Sequence, residues 1–190
     1  MNALGLDEQH ELLKIVVERL ERCGIPYMVA GSVAANSYAP ARTTNDIDFV
    51  IKIADDDIDN LIKAFEQDFY INSHEAIQDA IRRCYPFNAI YLSTAAKIDL
   101  VPIKPDSFAQ AEFNRRQVVN INDAKFWYVT PEDYAISKLK TYASTKSERQ
   151  LADLKNVLAT QKGIWILITT PSTKQVTLRT SMTVIQEEPF

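Results

Sequence analysis

The sequence predicts a mixed α/β unit of roughly 130 residues leading into a helical hairpin, and three observations carry that prediction. Apolar runs of strand length, near residues 26–30, 45–53, 87–92 and 97–103, are interleaved with segments of helical period. After Thr130 the strand-like runs stop and two helix starts follow. The chain has 190 residues, 46% of them hydrophobic and 24% charged, enough for one sizeable core with a helical appendage.

Residues 7–23 form the first predicted helix, with Leu13, Val16, Val17 and Leu20 on one face. Asp7, Glu8 and Glu11 favour its N-terminus, and Gly24 supplies the stop. A buried strand over 26–30 runs into Gly31, and residues 32–37 make a short helix closed by Pro40. A second strand covers 45–53, and Asp55-Asp56-Asp57 begins a helix to about Phe69. Another helix spans 73–83. Two strands, 87–92 and 97–103, follow as a hairpin around Ser93-Thr94, and Pro105 ends the pair. Shorter strand-like runs lie near Val118-Val119 and Phe126-Trp127-Tyr128. Thr130-Pro131-Glu132-Asp133 combines a capping Thr, Pro at the first helical position and acids in the first turn, and the helix continues to about Tyr142. Ser147-Glu148-Arg149-Gln150 has capping-box form and opens a last helix with Leu151, Leu154, Val157 and Leu158 on one face.

The chemistry concentrates between Gly31 and Asp99. Side chains i and i+2 of a strand share a face, so Asp46 and Asp48 project together while Ile47, Phe49 and Ile51 point the other way. Two adjacent carboxylates repel and lose solvation, which calls for a cation nearby. Gly31 permits close backbone approach, and Ser32 opens a helical stretch whose N–H groups suit a phosphate. Asp99, in Lys97-Ile98-Asp99-Leu100-Val101, supplies a third acid on another strand. Three acids beside an anion cradle suit magnesium and a nucleoside triphosphate.

Val29-Ala30-Gly31-Ser32 followed by Arg42-Thr43-Thr44-Asn45-Asp46-Ile47-Asp48 resembles the minimal nucleotidyltransferases of the DNA polymerase β-like superfamily, in the AbiEii toxin-like group. Thr130-Pro131-Glu132-Asp133, then Ser137-Lys138-Leu139 and Ser147-Glu148-Arg149-Gln150 with Asp153, extend the likeness over about residues 10–162. Ala152 stands where that group usually carries a basic residue before Asp153. The resemblance implies the nucleotidyltransferase fold: a small mixed sheet flanked by helices, then a C-terminal helical hairpin. It implies a core over 1–129 and a hairpin over 130–162 packed on it. In such a protein Asp46, Asp48 and Asp99 hold one or two magnesium ions, and Asp99 helps deprotonate an acceptor hydroxyl. Gly31 and Ser32 seat the phosphates, Lys138 contacts phosphate or substrate, and Arg149 and Asp153 are weaker candidates. An NMP passes from an NTP to a hydroxyl of tRNA, protein or a small molecule, in toxin–antitoxin or phage-defence settings that include a partner protein.

Plainer readings stand beside these. Gly31 alone is a turn glycine, and Lys97 alone pairs with Asp99 along one strand face. Lys138 alone is a surface lysine on an amphipathic helix, and Arg149 with Asp153 makes an i,i+4 surface pair. Asp55-Asp56-Asp57 reads as a helix N-terminus, and neither His10 nor His74 has metal-ligand spacing around it. Trp127 and Tyr128 beside Phe126 read as packing residues.

The formal net charge of −4 gives no global attraction to nucleic acid, though a cleft near Arg82, Arg83, Lys138 and Lys140 would be locally basic. Cys23 and Cys84 are too few for a disulfide framework and read as reduced, buried thiols. With no signal-peptide pattern and no run of membrane-spanning length, the expectation is a cytoplasmic protein. Residues 163–190 are Thr-rich and match nothing in the family pattern, as a frameshifted or truncated reading frame would leave them. Two other functions follow from these features: a catalytically idle module that binds a partner protein, and a damaged copy of the enzyme.

Overall fold

The computed structural model describes residues 5–40, 44, 46–161, 166–170 and 173–178. The chain divides into two compact units, one from Met1–Ala34 with Arg42–Thr130 and the other from Ala35–Ala41 with Pro131–Phe190.

The first unit begins with helix α1 (Leu6–Arg22), whose Leu12, Leu13, Val16, Val17 and Leu20 are all buried. Strand β1 (Tyr27–Ala30) leads into the short helix α2 (Gly31–Ala35), and strand β2 (Asp46–Ile51) follows. A 3₁₀ turn at Asp55–Asp57 precedes helix α3 (Ile58–Phe65), strand β3 (Phe69–Ile71) and helix α4 (His74–Arg83). Strands β4 (Phe87–Tyr91) and β5 (Ala96–Pro102), helix α5 (Ser107–Arg115), and strands β6 (Gln117–Ile121) and β7 (Ala124–Tyr128) complete it.

Seven strands make one mixed sheet in the order β3-β4-β5-β2-β1-β7-β6. Parallel pairings join β2 to β5 and β1 to β7, and the other neighbours are antiparallel. On β2 and β5 the burial alternates strictly: Ile47, Phe49, Ile51, Ile98 and Leu100 are all 0% exposed, while the intervening side chains reach the other, more open face. That alternation fixes register, since a slip of one residue would put Asp48 where Phe49 lies. Arg19 of α1 clasps Asp68 through one hydrogen bond of 2.7 Å and an ion-pair contact of 2.6 Å, with its guanidinium 4.7 Å from the Phe69 ring centre. The clasp ties α1 to the turn between α3 and β3.

The second unit contains helix α6 (Pro131–Thr145) and helix α7 (Glu148–Thr160), which pack together as a hairpin. Strands β8 (Ile166–Thr170) and β9 (Thr173–Leu178) pair antiparallel as a separate two-stranded sheet.

Several sequence expectations change. The helix expected from Asp55 to Phe69 is a 3₁₀ turn and a shorter α3, because Phe69-Tyr70-Ile71 pairs with β4 as an edge strand. Phe65 and Phe69 sit four apart and mimic a helical stripe, yet Phe69 is buried from a strand. Helix α5 had no predicted counterpart; Asp106 caps it by accepting from Ala109 N at 3.0 Å. Ser147 occupies the N-cap of α7 without a side-chain cap bond, so the capping box does not form. Residues 164–190 show neither steady alternation nor a helical period, though Trp165-Ile166-Leu167-Ile168 is apolar enough for a strand interrupted at Thr169-Thr170; the chain forms β8, which runs on through Thr169 and Thr170, and β9, while Trp165, Pro171 and Ser172 lie outside the described residues. Both cysteines are half-buried free thiols, not fully buried ones.

Candidate functional site

Gly31 ends β1 at a φ of +60°, a left-handed conformation that glycine adopts without strain. A side chain there is also barred by space: a Cβ would overlap the Asp48 carboxylate and stand 2.6 Å from Asp48 Cγ. The turn after β1 and the acid of β2 therefore press directly on one another. Ser32, the next residue, is 8% exposed. Thr44, at the entry to β2, is also buried and its hydroxyl contacts the backbone of Asp46 at 3.3 Å; Arg42, Thr43 and Asn45 lie outside the described residues.

The parallel register of β2 and β5 sets Asp48 opposite Asp99 and Asp46 opposite Lys97. Three carboxylates and one ammonium thus share the open face of two adjacent strands, while the opposite face is fully apolar. Lys97 Nζ lies 2.8 Å from Asp99 Oδ1 and 3.0 Å from Oδ2, so both oxygens of that carboxylate face it. Its hydrogen bond to Asp99 raises the Lys97 pKa above the ordinary lysine value against an opposing desolvation, with the charges of Asp99, Asp46 and Asp48 adding to the rise. The cation that neighbouring carboxylates demand is, in this arrangement, a side chain of the protein.

Carboxylate oxygens at Asp46, Asp48 and Asp99 are the hard donors that magnesium takes, and the Gly31 cradle keeps the Asp48 oxygens clear of any Cβ. Donor type fits such an ion. Among the described residues, however, no three His, Cys, Asp or Glu side chains are gathered closely enough to hold one.

The remaining candidates lie in the second unit. Lys138 of α6 donates to Asp153 Oδ2 of α7 at 3.0 Å, with side-chain exposures of 14% and 10%. Asp153 therefore pairs across the hairpin, not with Arg149 one turn earlier, and Arg149 is exposed. Lys138 and Asp153 each stand out in the sequence, but separately; opposite charges on the facing sides of a helical hairpin are the signal that joins them. The Asp55-Asp56-Asp57 acids serve a helix start: Asp57 accepts from Ala54 N at 2.9 Å and Asp55 from Gln78 Nε2 at 2.9 Å. His74 bonds Asp59 at 2.8 Å, and His10 contacts Asn122 at 3.2 Å. Phe126 and Tyr128 are core residues as expected, whereas Trp127 is 39% exposed with Arg116 stacked on its ring.

No family model matches the chain, and no curated protein sequence matches it. Solved structures do. An antigenic nucleotidyltransferase-like protein from Paracoccidioides brasiliensis superposes with a TM-score of 0.59 at 22% identity, over 83% of this chain and 77% of that one. The lincosamide antibiotic adenylyltransferase LnuA, solved with lincomycin bound, gives a TM-score of 0.54 at 16% identity, over 84% and 100%. A Thermotoga maritima protein assigned as a nucleotidyltransferase gives 0.53 at 14%, over 81% and 97%. The chain has the nucleotidyltransferase fold. No helix among the described residues is long and apolar enough to cross a membrane.

Proposed function

We propose that the protein is a nucleotidyltransferase that moves an NMP from an NTP to a hydroxyl acceptor. The observation that carries this is the register: Asp48 lies opposite Asp99, with Asp46 on the same face and the Gly31 turn against Asp48. Asp46, Asp48 and Asp99 would hold magnesium, which supplies charge stabilisation to the triphosphate and the departing pyrophosphate. Asp99 then serves as the base that takes the acceptor hydroxyl's proton. Backbone N–H groups after Gly31, with Ser32, seat the outer phosphates. Lys138 is assigned to the phosphates or acceptor, with Arg149 and Asp153 as auxiliary residues of the same half.

A small molecule is the acceptor class favoured here. LnuA is an antibiotic adenylyltransferase with lincomycin in its structure, and a net charge of −4 does not attract a large RNA. The AbiEii-like wording of the motifs supports a toxin–antitoxin or phage-defence setting, with tRNA or protein as the other acceptors. One observation favours a second reading, the idle protein-binding module: the Lys97 ammonium already neutralises Asp99.

Thermal unfolding with each NTP and magnesium separates the two. A ligand at 100 times its dissociation constant adds about 2.7 kcal/mol to the native state. For the enzyme, one NTP raises the midpoint only with magnesium, and Asp46→Ala/Asp48→Ala abolishes the rise. No shift with any NTP refutes the enzyme reading.

A further inference from the structure

We propose that strand β6 is a docking edge for a second copy of this chain, which adds its own β6 antiparallel across a two-fold axis at Val119. The proposal is independent of the acids of β2 and β5 and of any reaction they serve. β6 ends the seven-stranded sheet and pairs in it with β7 alone. Monomeric proteins protect such an edge with a charge, a proline, a bulge or a very short strand. Gln117-Val118-Val119-Asn120-Ile121 has none of these: it is five residues long, carries no charge or proline, and keeps regular register with β7 throughout. The edge at the far end of the sheet, β3, has only three residues.

Apolar surface lies on the same edge. Val118 faces Trp127 across the pair, and the two are 43% and 39% exposed. Trp127 is held in place by Arg116, whose guanidinium sits 4.9 Å from its ring centre and 4.2 Å from that of Phe113, and donates to the Phe113 carbonyl at 2.7 Å. A fixed tryptophan and arginine beside an open strand are residue types that anchor interfaces.

Charge selects the occupant. Arg115 and Arg116 precede β6, and Asp123 follows it in the turn to β7; Arg115 and Asp123 are both exposed. Lys125 lies one strand back, opposite Asn120. The edge is thus basic where it begins and acidic where it ends. Parallel addition of a second copy would set like charges side by side, whereas antiparallel addition crosses them. With Val119 opposite the second copy's Val119, Val118 meets its Asn120, Gln117 its Ile121, and the same register brings Arg115 to its Asp123. The two-fold makes each contact twice. The outward backbone N–H and C=O groups of both strands find partners in the same step.

Sedimentation velocity of the full chain across a range of concentrations tests this, with the variants Arg115→Asp, Asp123→Arg and Val118→Lys. The native chain should dimerise. Each charge reversal sets like charges together at both ends of the seam and should weaken the dimer about thirtyfold, since two contacts pass from attraction to repulsion. An equimolar mixture of the two charge variants should recover the dimer, which a merely structural role for either residue would not give. Val118→Lys puts a charge on the edge itself and should stay monomeric. A native chain that is monomeric at every concentration overturns the proposal. A dimer that survives the single reversals or Val118→Lys overturns it too, as does the absence of recovery when both charge variants are folded by circular dichroism. Should either charge variant not fold, Val118→Lys decides alone.

Discussion

Replacing Gly31 by alanine perturbs two things at once, and Gly24 lets them be separated. Both glycines have positive φ, +60° and +69°. A Cβ at Gly24 meets nothing within 4 Å, whereas at Gly31 it overlaps the Asp48 carboxylate. Gly24→Ala therefore reports the backbone cost alone, about 1 kcal/mol for an L-residue held in the left-handed region. Gly31→Ala adds steric displacement. Its Cβ would lie 2.6 Å from Asp48 Cγ. An ordinary carbon–carbon contact is about 3.5 Å, so the side chain must retreat by about 1 Å. Overpacking of that kind costs about 1–3 kcal/mol, for a total of about 2–4 kcal/mol. Urea unfolding of both variants and the native chain measures this through the shift in midpoint at constant slope. In an Asp48→Ala background the two nearest of these contacts are gone and the one of 3.0 Å to the Asp48 Cβ stays, so the Gly31→Ala cost should fall toward that of Gly24→Ala. Equal costs at the two glycines, or a Gly31→Ala cost unchanged by removing the Asp48 carboxylate, would refute the direct coupling of turn and acid. A retreat of 1 Å also moves a proposed ligand, so manganese affinity should fall in the same variant.

Other outcomes follow from the pairs already described. Lys138→Met takes the ammonium from the buried Asp153 carboxylate and should cost about 3 kcal/mol, whereas Lys138→Met/Asp153→Leu should cost less because the buried charge goes as well; denaturant midpoints decide, and a double variant no more stable than the single contradicts it. Burial is the main cause that pushes the Cys23 thiol above its ordinary value of 9.0, with Arg22 acting against it and Asp57 with it. Iodoacetamide should therefore alkylate Cys23 in a Cys84→Ala chain more slowly at pH 8.5 than a cysteine peptide. The sign for stability is negative: above pH 9.0 the folded thiol keeps a proton that the unfolded one has lost, so Cys23→Ala should flatten part of the decline on the alkaline side. A native chain and variant that decline in parallel would show that the thiol does not contribute.

The fold was most legible where local pattern and burial agree. Leu12 to Leu20 of α1, the strict alternation of β2 and β5, and the Thr130-Pro131 start of α6 each carry a signal within a few residues. It was least legible where an edge strand borrows a helical spacing, as at Phe65 and Phe69, or where a helix has weak amphipathicity, as in α5. The acids of β2 and β5 were visible because strand geometry puts i and i+2 together. Their mutual register was not, because it is set by apolar packing on the opposite face between strands about fifty residues apart. Lys97 could be read beside Asp99 from spacing alone, but its place opposite Asp46 needed the sheet. The Lys138–Asp153 bridge depends on how two helices face, which neither helix states by itself.

The parallel seam between β2 and β5 has a consequence for how the protein is made. Asp46 and Asp48 leave the ribosome well before Asp99, and β5 reaches the sheet as the second arm of a local hairpin with β4. Until that hairpin docks, β2 has an open edge and its two acids lack both the third carboxylate and the lysine. A nascent chain ending near residue 95 can pair β1 with β2, but its acids are assembled without Asp99 and Lys97 beside them. Closure of that seam is a non-local and therefore slow event. Variants that weaken Ile98 or Leu100 should accordingly expose an unpaired strand during synthesis, and their first symptom should be aggregation of young chains before any deficit appears in the folded protein.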